Sequence, residues 1–164
     1  MRKCSEFRFF WFGAAWLLLS GVIIGIDHCT KMCAVLRPYG QVDQIIGSWL
    51  RVRLAFNEGV AFGIGHDLQG FFPIVLLMLS VFLTVLLLVW LLTIRAPQWR
   101  SAAAIALILG GAVGNLWDRL SLGYVIDFID IGVGYWRWPT FNVADSCISL
   151  GAAWLCYQAY KKQK

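Results

Sequence analysis

Long apolar runs separated by short charged segments set the pattern of this chain. Four runs, about 9–26, 70–94, 101–117 and 143–160, reach or approach the roughly 20 helical residues that cross a hydrocarbon layer about 30 Å thick. The first three hold no charged residue, and the fourth holds Asp145 alone. Between the first two runs the period changes: Leu50, Val52, Leu54 and Phe56 alternate with Arg51, Arg53 and Ala55, which predicts a half-buried strand. Pro38-Tyr39-Gly40 marks a turn, so residues 41–46 can supply a pairing strand. The pattern predicts an all-α membrane protein, one polytopic domain over 1–164. It has four transmembrane helices and a small extracytoplasmic β-sheet in the first outer connection, 27–69.

Composition agrees. Of 164 residues, 60% are hydrophobic and 14% charged, with a mean hydropathy of +0.70. Four spans put both termini and the 95–100 linker on one side. That side holds eight Lys and Arg against Glu6, whereas the other holds six against eight acids. Lys and Arg concentrate on the cytoplasmic side of membrane proteins, so both termini are expected in the cytoplasm. The net charge of +5 then reports topology, and no basic patch with base-stacking aromatics points to nucleic acid. Met1-Arg2-Lys3 before an apolar run suggests a signal peptide, but Asp27-His28-Cys29 follows the run where a small-residue cleavage site would stand, so an uncleaved first span is expected. The five cysteines lack zinc-type spacing; Cys29 and Cys33 read as unpaired, with a disulfide between them still open. Gly21-Val-Ile-Ile-Gly25 and Gly110-Gly-Ala-Val-Gly114 are small-xxx-small spacings that suit close helix packing. Trp136 and Trp138 read as an interfacial anchor or as the frame of a substrate entrance.

Candidate chemistry gathers at one end. Asp27, then Asn115, Asp118 and Arg119, then Asp127, then Asn142 and Asp145 all fall at the outer ends of the predicted spans. Carboxyl groups at a membrane boundary are costly and point to function. Structural alternatives exist for several of them. Asp118 followed by Arg119 suits a structural ion pair or network, Asp27 with Lys31 at i,i+4 suits a helix-end pair, and Asp145 suits a helix cap. Asp130 suits a solvated loop and is the rival of Asp127. His28 and His66 lack metal-ligand spacing, and outer-side Lys31 has no serine partner. A pair of carboxyl groups sharing one proton is what remains for hydrolysis.

Five ordered blocks then carry a resemblance: Asp27-His-Cys-Thr-Lys31, Asn57-Glu-Gly-Val-Ala-Phe62, Gly110-Gly-Ala-Val-Gly-Asn-Leu-Trp-Asp-Arg119, Gly123-Tyr-Val-Ile-Asp-Phe128 and Phe141-Asn-Val-Ala-Asp145. Together they resemble the lipoprotein signal peptidases, the type II signal peptidases of bacteria. The resemblance implies an intramembrane aspartyl endopeptidase with Asp127 and Asp145 as the catalytic pair. Asn57, Gly59, Asn115, Asp118, Arg119 and Asn142 would line or support the site, and Asp27 with Lys31 would be structural. It implies no metal or organic cofactor. The implied substrate is the signal peptide of a diacylglyceryl-modified prolipoprotein, cut before the lipidated cysteine. The implied place is the bacterial cytoplasmic (inner) membrane, amid membrane lipid, with the active site toward the outer leaflet. His28 stands where the family commonly has Gln. The rival readings are a small proton- or ion-coupled transporter and a non-enzymatic membrane scaffold; a transporter would place acids near the midplane and carry an internal repeat, neither of which the sequence suggests.

Overall fold

The computed structural model describes residues 12–59 and 71–163. Arg2, Lys3, Cys4, Glu6, Arg8, His66, Asp67 and Lys164 lie outside the described residues, as do residues 9–11 of the first apolar run and 60–62 of the Asn57 block. Helix α1 (Leu17–Val35) leads into strands β1 (Val42–Ile46) and β2 (Leu50–Asn57). Helix α2 (Phe72–Thr93), a 3₁₀ turn at Ala96–Gln98 and helix α3 (Trp99–Leu122) follow. Strands β3 (Val125–Val133) and β4 (Trp136–Arg137) precede the last helix, α4 (Val143–Lys162).

Among the described residues, three helical stretches are long and apolar enough to cross a membrane: Phe12–Val35, Phe72–Thr93 and Ala96–Leu122. Helix α4 has the length, at 20 residues, but is not among them. Asp145, Gln158, Lys161 and Lys162 make it more polar than the others. Helix α1 runs on through Val35, past the end of the apolar run at Ile26. Asp27, Cys29, Lys31 and Cys33 are therefore helical, although their polarity reads as a connection.

Helix α3 packs against the other three, and its glycines admit α1 and α4. A Cβ at Gly110 would lie 2.9 Å from the Ser20 carbonyl oxygen of α1, and one at Gly111 would collide with the Ala144 carbonyl oxygen of α4. Ser20 Oγ donates to the Ala106 carbonyl at 2.9 Å across the α1–α3 contact. Leu91 and Ile94 from the end of α2 pack with Ala102, Ile105, Ala106 and Leu109 of α3. Gly21 and Gly25 have nothing within 4 Å of an added Cβ, so the first small-xxx-small spacing packs no helix within the described chain.

The sheet is larger than the first connection. Its order is β1-β2-β3-β4, all antiparallel, with β3 and β4 drawn from the segment between α3 and α4. The expectation that the sheet lies in residues 27–69 is thus corrected. Val125-Ile-Asp-Phe-Ile-Asp-Ile131 is rich in β-branched residues, but two acids break its alternation and disguise it as a loop. The pairing explains why the strand forms: Ala55 lies across from Asp127, and Asn57 across from Val125. Leu54, Ile126 and Phe128 pack on Ala34 at the end of α1, which seats the sheet on the helices.

Candidate active site

Asp127 and Asp145 come from different elements and meet through one residue. Asn142 is the N-cap of α4: its Oδ1 accepts from the Asp145 backbone N–H at 2.8 Å, and its own backbone N–H donates to Asp145 Oδ2 at 3.3 Å. This reciprocal capping fixes the first turn of α4 and contributes about 1 kcal/mol. The Asn142 Nδ2 then donates to Asp127 Oδ1 at 2.8 Å and to the Ile126 carbonyl at 3.2 Å. One fully buried residue, through its side chain to Asp127 and its backbone N–H to Asp145, therefore ties both carboxyl groups into a common frame.

Each acid has a second asparagine. Asn57 Nδ2 donates to Asp127 Oδ2 at 3.0 Å from the end of β2, and Asn115 Nδ2 donates to Asp145 Oδ1 at 2.7 Å from α3. Asn57 is itself held by Gly59, whose backbone N–H donates to Asn57 Oδ1 at 2.9 Å with φ at +83°. Glycine takes that left-handed conformation without the steric cost of a Cβ. Asp127 is 1% exposed. Burial pushes its carboxyl up to about 6; the hydrogen bond from Asn57 opposes that rise, and the charge of Asp145 adds to it.

Behind the pair lies a buried cation. Lys31 Nζ is 2.7 Å from Asp27 Oδ2, 2.9 Å from Asp118 Oδ2 and 3.0 Å from Asn115 Oδ1. Asp27 also accepts from the Ala144 backbone N–H at 2.8 Å, and Asp118 from the Ile126 backbone N–H at 3.1 Å. The network thus pins the start of α4 and the start of β3, the residues beside Asp145 and Asp127. Asp118 thus stands in a structural ion network, as expected, but through Lys31 rather than Arg119, because neighbours on a helix do not face each other. Among the described residues Arg119 reaches only the Asn115 carbonyl, at 3.5 Å, and it lines a separate cleft with Asn57, Glu58 and Pro73.

Asp130 is no solvated loop residue. It is 3% exposed and pairs with Arg137 Nε at 2.8 Å, so its charge is already spent within the β3–β4 hairpin. A cavity of about 600 Å³ opens over Asp127, lined in part by Arg53, Asn57, Glu58, Trp138 and Thr140. Trp138 therefore flanks the site, whereas Trp136, 88% exposed, does not line it. Arg53, Glu58 and Thr140 escape sequence reasoning because a charge on a strand face or loop looks solvated until the fold is known. Cys29 and Cys33 are free thiols, as are Cys147 and Cys156.

Two carboxyl groups held this way, one of them keeping its proton up to about pH 6, can polarise a carbonyl and deprotonate a water. Comparison with known proteins agrees in kind. A family model described as signal peptidase (SPase) II matches residues 19–161. A lipoprotein signal peptidase of Teredinibacter turnerae is 39% identical over 149 residues, covering 91% of this chain and 86% of that protein. One from Xanthomonas campestris pv. campestris is 43% identical over 139 residues, covering 84% and 83%. Two bacterial membrane enzymes with structures obtained by the in meso method superpose with TM-scores of 0.78 and 0.74. Their identities are 27% and 28%, and the matches cover 92% and 89% of this chain and 90% and 92% of theirs.

Proposed function

The chain belongs to the signal peptidase II family, and from that footing we propose that it removes the signal peptide of diacylglyceryl-modified prolipoproteins, using Asp127 and Asp145 as an aspartyl pair. It is a membrane peptidase. In the proposed arrangement α4 is a fourth span and the termini lie in the cytoplasm. The pair then faces the outer leaflet of the bacterial cytoplasmic membrane, where an apolar signal helix ends. The transporter and scaffold readings have no support in the family match.

Protonated Asp127 donates to the scissile carbonyl oxygen while Asp145 takes a proton from water, whose oxygen attacks the carbonyl carbon. Collapse of the tetrahedral diol breaks the C–N bond: one hydroxyl returns its proton to Asp127, and the proton gathered by Asp145 passes to the departing amine of the lipidated cysteine. The scheme needs no metal or organic cofactor. The observation that carries it is Asn142, which bonds to Asp127 and Asp145 at once.

Protein reconstituted in lipid vesicles is expected to convert a diacylglyceryl-modified prolipoprotein into a product whose first residue, by mass spectrometry, is the lipidated cysteine. A precursor that stays intact rejects the function, and equal cleavage of the unmodified precursor rejects the lipid requirement.

The pH dependence has a defined sign. Asp127 works protonated, so kcat/KM should fall as pH rises through about 6, where the free enzyme loses that proton. The Asn57 hydrogen bond favours the charged form, so Asn57→Ala should move this alkaline limb to higher pH. A limb that stays fixed or moves downward would remove Asp127 from the acid role.

A further inference from the structure

The cavity over Asp127 carries more than the pair itself. Its walls are mixed: Arg53, Asn57, Glu58 and Thr140 supply polar groups beside the apolar Phe56, Trp138 and Pro139. Charged groups set it apart from a purely apolar groove. Two arginines reach the cavity, and their circumstances differ. Arg137 is committed to Asp130 and to the Ser48, Gly132 and Asp130 carbonyls. Arg53 is exposed and, among the described residues, has no hydrogen-bond or ion-pair partner.

We infer that this groove takes the polar segment following the cleaved bond, and that Arg53 selects for an acidic side chain there. The inference rests on the proposed hydrolysis, since Asp127 at the groove floor fixes where the bond is cut. Register sets the reach. Ala55 lies across from Asp127, and Arg53 is two residues further along β2, roughly 7 Å at strand spacing. An extended substrate leaving the pair therefore meets Arg53 within the first two residues after the lipidated cysteine. The extra residue that β2 carries between Val52 and Ala55 makes this a bulge, a feature that re-aims side chains.

The test is a set of lipid-modified prolipoproteins differing only in having Asp, Asn or Lys at each of those two positions, cleaved by wild type, Arg53→Ala and Arg53→Glu. Wild type should prefer Asp over Lys by about two- to fivefold, mostly in KM, as expected for one exposed ion pair. The preference should flatten in Arg53→Ala and reverse in Arg53→Glu. Because each ratio is taken within one variant, partial misfolding does not alter it. If Arg53→Glu yields no folded protein, decline of the wild-type ratio with added salt supplies the same reading. Equal cleavage of all substrates by wild type, or a ratio unmoved by Arg53→Glu, overturns the role of Arg53 and leaves the hydrolysis intact. Failure to cleave any substrate overturns both.

Discussion

Replacing either Asp127 or Asp145 by Asn should lower the cleavage rate by about 10²–10⁴-fold, the range lost when a positioned acid or base is removed. Asn keeps the size of the side chain and can still meet Asn142, Asn57 or Asn115, so the fold around the pair should persist. What disappears is the exchangeable proton. The contrast is Asp130→Asn, which sits on the same strand and is equally buried but faces Arg137. It should weaken the β3–β4 hairpin and spare most of the activity. Vesicle assays of the three variants, with circular dichroism to verify folding, check this. Activity that survives Asp127→Asn but not Asp130→Asn would transfer the acid role to Asp130.

Lys31→Met should be the most destabilising single change. It removes the cation shared by Asp27 and Asp118, both within hydrogen-bond distance and almost wholly buried. Breaking a buried ion network by deleting one partner costs about 3–5 kcal/mol. Thermal unfolding in detergent should show the loss, and the triple variant Lys31→Met, Asp27→Asn, Asp118→Asn should recover part of it, because no unpaired charge then remains. A loss below about 1 kcal/mol would mean that the network is not closed as described.

The helices were legible because lipid-facing segments are apolar on nearly every side, a signal that survives without knowledge of neighbours. Their ends were less so. Asp27 and Lys31 look like the close of a span, yet each satisfies the other one turn away, and α1 continues. Strand β3 was hidden for a related reason: Asp127 and Asp130 interrupt its apolar alternation, and among the described residues the side-chain partners of both acids lie 7 to 70 residues away in sequence. Family motifs singled out Asp127, Asp145, Asn57, Asn115 and Asn142, which the structure brings into one network. Arg53 matches no motif quoted, and its neighbours in the cavity come from two separate connections. Nothing local to it could reveal that.

The β2–β3 ladder joins residues 50–57 to residues 125–131. During synthesis the first hairpin must wait, its inner edge open, until two further helices have been made and inserted. Asp127 acquires its strand register only then, and Asp145 emerges later still. With Asp127 and Asp145 as the proposed pair, a nascent chain has no complete site before β3 has docked on β2 and the last helix has begun, which guards a half-assembled protease against premature cutting.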